Sequence, residues 1–182
     1  MEMKDLIVEQ MLIEPLNVDL AEPFAIAIGT KYRIENVLVT LLLRNGIKGY
    51  GEAAPLEPIN GENQATVIST LESCRDFIVG KNVSDFVSVS RTLKNVFRTH
   101  NTARCAVEMA FLDAYTKYLK MPLYRFFGGV SRKIETDYTI TIVSPDTARQ
   151  NAARLSALGY RVLKTKVGKD LIDDVERLIL IS

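Results

Sequence analysis

Apolar and polar residues change rhythm twice along this chain. From residue 7 to 20, and again through Ile34-Glu35-Asn36-Val37-Leu38-Val39-Thr40-Leu41-Leu42-Leu43-Arg44, the text is strand-like. The second run is followed by Asn45-Gly46 and then by Ile47-Lys48-Gly49-Tyr50-Gly51-Glu52. Asn-Gly between two such runs predicts a hairpin, because both residues tolerate positive φ. Between the strand-like runs, Pro23-Phe24 and small residues through Gly29-Thr30 read as a connection. Pro55, Pro58, Asn60 and Gly61 mark a loop.

The period then lengthens to that of a helix. Three helical patterns are predicted over 64–79, 83–97 and 102–119, the last with Ala103, Ala106, Val107, Ala110 and Ala114 on one stripe. Those alanines let a neighbouring element approach closely. Met121-Pro122 breaks the third pattern, and Gly128-Gly129 closes this half. Strands followed by helices predict an α+β domain.

Beyond it the pattern alternates: strand over 135–143, helix over 145–158, strand over 161–167 and a further helix from Asp170. Ser144 is a suitable N-cap and Pro145 a tolerated first-turn residue. Such a β-α-β-α series opens either a barrel or a doubly wound sheet covered on both faces. Two parallel strands are too few for a stable covered sheet, and an eight-fold barrel takes about 250 residues. The chain therefore reads as truncated.

Chemistry enters at the second strand of this series. Alternation puts Val162, Lys164 and Lys166 on one face, and Leu163, Thr165 and Val167 on the other. On the first strand, Asp137, Thr139 and Thr141 oppose Tyr138, Ile140 and Ile142. If helices cover the apolar face, the polar face lies beside the lysines, near the strand ends where barrels keep their catalytic groups. Two ammonium groups on an inward face are costly unless a cavity, a counter-charge or a chemical task explains them. General-base catalysis at neutral pH favours a group titrating near ~7–8, whereas an ordinary lysine titrates near ~10.4. A neighbouring like charge and partial burial together can close that gap of about 4 kcal/mol. An exposed strand with lysines on its wet side is the alternative that spacing alone leaves open.

Composition narrows the rest. At 182 residues, 47% hydrophobic and 25% charged, the chain is ordinary for a folded protein. A formal net charge of +1 supplies no broad field for nucleic acid or an anionic membrane. The opening Met1-Glu2-Met3-Lys4-Asp5 is unlike a secretory signal, and no apolar run approaches the ~20 residues of a bilayer span. Cys74 and Cys105 lack metal-site spacing and are expected to be buried free thiols, which suits a cytoplasmic location. With His100 the single histidine, a multi-histidine metal site is excluded, and His100 itself reads as a loop residue. Lys31, Arg33 and Lys48 read as solvated charges. Glu52 could face a ligand, although Gly49 and Gly51 beside it more often relieve crowding.

Several of these segments, in this order, resemble the enolase superfamily in its muconate-lactonizing subgroup, and within it the dipeptide epimerases. The resemblance rests on Gly49-Tyr50-Gly51-Glu52-Ala53, Ala106-Val107-Glu108-Met109-Ala110, Pro122-Leu123-Tyr124 with Phe127-Gly128-Gly129, and Glu135-Thr136-Asp137-Tyr138-Thr139-Ile140. It rests above all on Leu163-Lys164-Thr165-Lys166-Val167-Gly168, which carries the subgroup's Lys-x-Lys signature. It implies an α+β capping domain over 1–125, antiparallel strands then helices, followed over 126–182 by the first β/α units of a modified TIM barrel. It also implies proton abstraction α to a carboxylate, with Mg²⁺ stabilising the enediolate, a pattern for which the superfamily is a general example.

By the same resemblance Lys166 is the base, Lys164 lies near the substrate carboxylate, and Thr139 contacts the substrate. Loops over 24–30 and 52–63 close over the barrel mouth and set specificity. The Mg²⁺ ligands and the opposing base belong to strands beyond this sequence, so no metal site is expected in the chain. The implied partner is a small carboxylate, a dipeptide, and a homo-oligomer is among the forms allowed. Muconate cycloisomerase and o-succinylbenzoate synthase, in the same superfamily, are the neighbouring alternatives; a non-catalytic capping or interaction module is the alternative of another class. Where alanyl-glutamate epimerases carry an arginine in the first capping loop, this chain has Gly29, so a preference for an acidic second residue does not carry over.

Overall fold

Hydrophobic alternation becomes a three-stranded sheet, β1 (Val8–Ile26), β2 (Gly29–Leu43) and β3 (Lys48–Ala53), in the order β1-β2-β3. The computed structural model describes residues 6–130 and 133–182, so the opening segment 1–5 lies outside the described residues. The fold divides into two compact units. One takes the chain up to Val18 together with Glu35–Val130; the other takes Asp19–Ile34 together with the residues after 130. The resemblance implies a boundary at 125; Asp19–Ile34 group with the second unit.

In the first unit β2 and β3 pair antiparallel, from Val37 opposite Ala53 to Leu42 opposite Lys48. Their turn differs from the two-residue hairpin expected. Leu43 N–H donates to Ile47 O (2.9 Å), Gly46 N–H donates to Leu43 O (2.8 Å), and only Gly46 has positive φ (83°). The loop is therefore Arg44-Asn45-Gly46, a tight turn closed by a left-handed glycine, and Asn45 instead accepts from Ile47 N–H through its side chain. The connection read at Pro23 through Thr30 is also different. β1 runs unbroken through Pro23 to Ile26, and β2 starts at Gly29. Proline is tolerated there because β1 is an edge strand.

A single helical turn, α1 (Glu57–Asn60), breaks the loop rich in proline and ends at left-handed Gly61. α2 (Gln64–Ile78) starts at a capping box made by Asn63 and Thr66. The pattern over 83–97 resolves into a 3₁₀ turn, Val83–Asp85, and α3 (Phe86–Val96), since the Asn82 side chain tightens the first turn by accepting from Ser84 N–H. α4 (Asn101–Tyr118) buries Ala106, Ala110 and Ala114 completely, and a short α5 (Leu123–Phe126) follows. Against that stripe rests β3, where Gly49 and Gly51 are buried and Lys48, Tyr50 and Glu52 face out. A Cβ on Gly49 would drive into the Ala110 carbonyl, and one on Gly51 into the Ala106 carbonyl. The glycines relieve crowding, and Glu52 accepts a 2.6 Å hydrogen bond from Asn36.

The second unit alternates as expected: β4 (Tyr138–Ile140), α6 (Pro145–Ala157), β5 (Leu163–Thr165) and α7 (Leu171–Ile181). The strands are parallel, with Tyr138 opposite Leu163, Thr139 opposite Lys164 and Ile140 opposite Thr165. Ser144 caps α6 and Asp170 caps α7. A small core joins buried Ile140, Ala148, Ala152 and Leu155 to Val143, Tyr160, Leu163 and Ile181. Both strands thus turn their Ile140 and Leu163 face to the helices.

Candidate active site

Since Ile140 and Leu163 face the helices, alternation places Thr139 and Lys164 on the opposite face. They are direct cross-strand neighbours. Lys166 N–H donates to Ile140 O (2.9 Å), which extends the ladder one step past β5 and keeps Lys166 on the side of Lys164. Lys164 is exposed, while Thr139 and Lys166 are half-buried. The two sides of this small sheet therefore differ as the sequence suggests, but only the helix side is covered within the unit.

The strand ends are held locally. Gly168, with φ of 109°, turns the chain two residues after Lys166, and its N–H donates to Asp174 Oδ2 at 2.6 Å. From the hairpin, Ala25 O accepts from Ile142 N–H at 3.0 Å, and Glu22 approaches Arg154 of α6 at 3.8 Å. A cavity of about 510 Å³ lies between residues Leu20 to Phe24, the β4 stretch Tyr138 to Thr141, and Asn151, Arg154 and Leu155 of α6. It takes in Thr139 but neither lysine. Parallel pairing uses alternate residues, so the backbone groups of Thr139 and Thr141 point away from β5, and the cavity sits along that free edge.

The lesser candidates stay structural. His100 lies just before α4 with its ring edge-on to Phe97, and Lys31, Arg33 and Lys48 are exposed. Cys74 is buried, and burial pushes its thiol up to about 11. Cys105 is exposed, which corrects the expectation of two buried thiols: the buried face of α4 passes through Ala103, Ala106 and Ala110, and residue 105 falls outside it. Two buried charged features went unread. The Glu62 carboxylate is 3% exposed and accepts from Thr102 N–H (3.0 Å), capping α4 from a segment 40 residues away. No local spacing signals that contact. Asp174 and Arg177 are also buried, in a helix whose leucines and isoleucines are largely exposed.

Residues 8–128 match the N-terminal domain of mandelate racemase / muconate lactonizing enzyme. The chain belongs to the mandelate racemase / muconate lactonizing enzyme family. Within that family it is 38% identical over 172 residues to an aromatic dipeptide epimerase of Herpetosiphon aurantiacus, covering 94% of this chain and 48% of that protein. It is 31% identical to the L-Ala-D/L-Glu epimerase of Bacillus subtilis, covering 88% of this chain and 44% of the relative. Among solved structures, the dipeptide epimerase of Enterococcus faecalis complexed with Mg and the dipeptide L-Leu-L-Tyr superposes with a TM-score of 0.93 at 28% identity, over 96% of this chain and 49% of that one. The chain spans about half the length of the curated relatives it matches.

This member of the mandelate racemase / muconate lactonizing enzyme family shows no cluster of three or more His, Cys, Asp or Glu able to hold a metal among its described residues. No described helix is long and apolar enough to cross a membrane. What the strand face can do chemically rests on the side-chain nitrogens of Lys166 and Lys164 and the hydroxyl of Thr139.

Proposed function

We propose that this chain supplies one of the two proton-transfer sides of a dipeptide epimerase, with Lys166 taking the proton from the carbon α to the substrate carboxylate. Lys164 holds that carboxylate, and Thr139 contacts the substrate from the neighbouring strand. The observation that carries the reading is the register: Thr139 stands opposite Lys164, and the ladder continues to Lys166 on the face turned away from α6 and α7. An amine there can accept a proton, an ammonium beside it favours an anion, and a hydroxyl can donate or accept. Support for a dipeptide comes from relatives that are named for dipeptides. Mg²⁺, present with dipeptide in the Enterococcus faecalis structure, would be held by residues outside this chain, as would the base on the opposite face. The free thiols Cys74 and Cys105 support a cytoplasmic location.

The test is conversion of L,L-dipeptides to their epimers in deuterated solvent, read as deuterium at the α-carbon of the epimer, a reaction that needs a base on each face. A protein joining these residues to the remaining half is expected to catalyse it; Lys166→Ala is expected to lose at least about 100-fold, the scale of general acid–base catalysis. The 182 residues alone are expected to show none. Turnover of muconates or of cyclic carboxylates but not of dipeptides would move the assignment to a cycloisomerase or a succinylbenzoate synthase. Parent-level epimerisation in Lys166→Ala would favour the non-catalytic module, which the exposure of Lys164 also suits.

A further inference from the structure

α7 is built inside out. Leu171, Ile172 and Ile179 are 79%, 78% and 69% exposed, whereas Arg177 is 2% and Asp174 7% exposed. A helix that buries Asp174 and Arg177 while Asp173, Glu176 and most of its aliphatic residues stay exposed is not placed within this unit by hydrophobic burial alone. The buried pair has definite partners. Asp174 Oδ1 accepts from Arg177 Nη2, and Asp174 Oδ2 accepts from Gly168 N–H at 2.6 Å. Arg177 Nη1 donates to Val143 O at 2.9 Å. Val143 lies three residues beyond β4 and Gly168 three beyond β5, so one ion pair joins the turns at the C-terminal ends of both parallel strands.

We propose that Asp174 and Arg177 are positioning residues that set the two strand ends, and with them Lys166, in register with Thr139. The inference rests on the reading of Lys166 as the base. A role in stability alone does not account for the arrangement. A well-packed apolar pair of similar volume is often as stable as a buried ion pair or more so, and here Arg177 Nε is buried without a hydrogen-bond partner. What apolar side chains could not supply is an acceptor for Gly168 N–H and a donor for Val143 C=O. The carboxylate fixes the turn two residues after Lys166, the guanidinium fixes the turn after β4, and their mutual bond ties the two together. Lys166 is thereby held from its backbone on both sides, through its own N–H to Ile140 O and through Gly168.

The test compares the parent with Asp174→Asn and with the double variant Asp174→Leu/Arg177→Met. Amide hydrogen exchange is read by NMR in the 182-residue chain, and α-deuteration of a dipeptide is read in the protein that carries the remaining half. In the double variant, amides of Ala148 and Ala152 are expected to keep their protection, whereas those of Gly168 and Lys166 exchange about 10-fold faster, as in a local opening. The kcat for α-deuteration is expected to fall about 10- to 100-fold with KM changed less than about twofold, the signature of a misplaced group rather than lost binding. Unchanged Gly168 and Lys166 exchange with parent kcat would overturn the proposal. If the double variant fails to fold, Asp174→Asn decides: a selective loss of kcat and of Gly168 protection supports positioning, and parent values for both refute it. Lys166→Ala separates the two claims. Should it keep the parent rate, the base assignment fails, while amide exchange still judges whether the pair sets the strand ends.

Discussion

Two cysteines on neighbouring helices of one unit have opposite chemistry. Cys74 of α2 is 3% exposed with its Sγ–H directed at Leu71 O, whereas Cys105 of α4 is exposed. Thiolate, the reactive form, is disfavoured by burial. A thiol reagent at neutral pH is therefore expected to modify Cys105 first and Cys74 only as the unit opens, which mass spectrometry of timed samples reads directly. The same burial makes stability depend on alkaline pH. Cys74 holds its proton to about 11, from an ordinary 9.0, so between those values the unfolded chain binds fewer protons than the folded one. Stability then falls as pH rises through that window, by on the order of 2 kcal/mol, and the contribution is flat below it. Cys74→Ala is expected to remove this part of the alkaline slope in urea titrations; an unchanged slope would refute the assignment to this thiol.

Among the elements, β3 and α4 are in close backbone contact. Small residues on both sides, Gly49 and Gly51 against Ala106, Ala110 and Ala114, bring strand backbone onto helix backbone. Gly49→Ala or Gly51→Ala is expected to cost about 3 kcal/mol or more, because the added methyl meets a carbonyl that cannot swing aside. Gly46→Ala, with open space around it but φ of 83°, is expected to cost about 1–2 kcal/mol from backbone conformation alone. Urea midpoints rank the three, and an equal effect at all positions would contradict the packing argument. This contact was legible in the sequence because an alanine stripe and alternate glycines each report close approach. So was the parity of β4 and β5, since Ile140 and Leu163 on one side leave Thr139 and Lys164 on the other. The end of β1 and the start of β2, through residues 21–33, were not legible. Their residues are exposed or half-buried, so backbone pairing rather than a buried face holds them, and no hydrophobic rhythm records them. Asp174 and Arg177 were hidden for the opposite reason. A helical pattern leads one to bury the aliphatic stripe, and the partners that reverse it, Gly168 and Val143, lie 6 and 34 residues away.

Across the whole molecule, apolar burial is distributed unevenly. In the first unit the buried core reaches every strand and helices α2 to α4, with Val37, Leu41, Leu71, Leu93 and Phe111 almost wholly excluded from water. The buried core of the second unit is Ile140, Ala148, Ala152 and Leu155, two of them alanines. Fully burying a large aliphatic side chain contributes about 1.5–3 kcal/mol, so four residues with two alanines offset little of the conformational entropy of the ordered elements around them. Meanwhile Ile172, Leu171 and Ile179 of α7 stay in water, and the Thr139–Lys164 face of the sheet is open. The 182-residue chain is therefore expected to unfold in two steps in urea. Amides of α6 and α7 should exchange at low denaturant, and those of α4 only near the main transition. Joining the chain to the half of the protein that its relatives possess should protect α7 and merge the steps, because that half has an aliphatic helix face and an unpaired strand edge to cover. A single cooperative transition in the 182-residue chain, with α7 as protected as α4, would mean that the second unit draws its stability from something other than buried apolar surface.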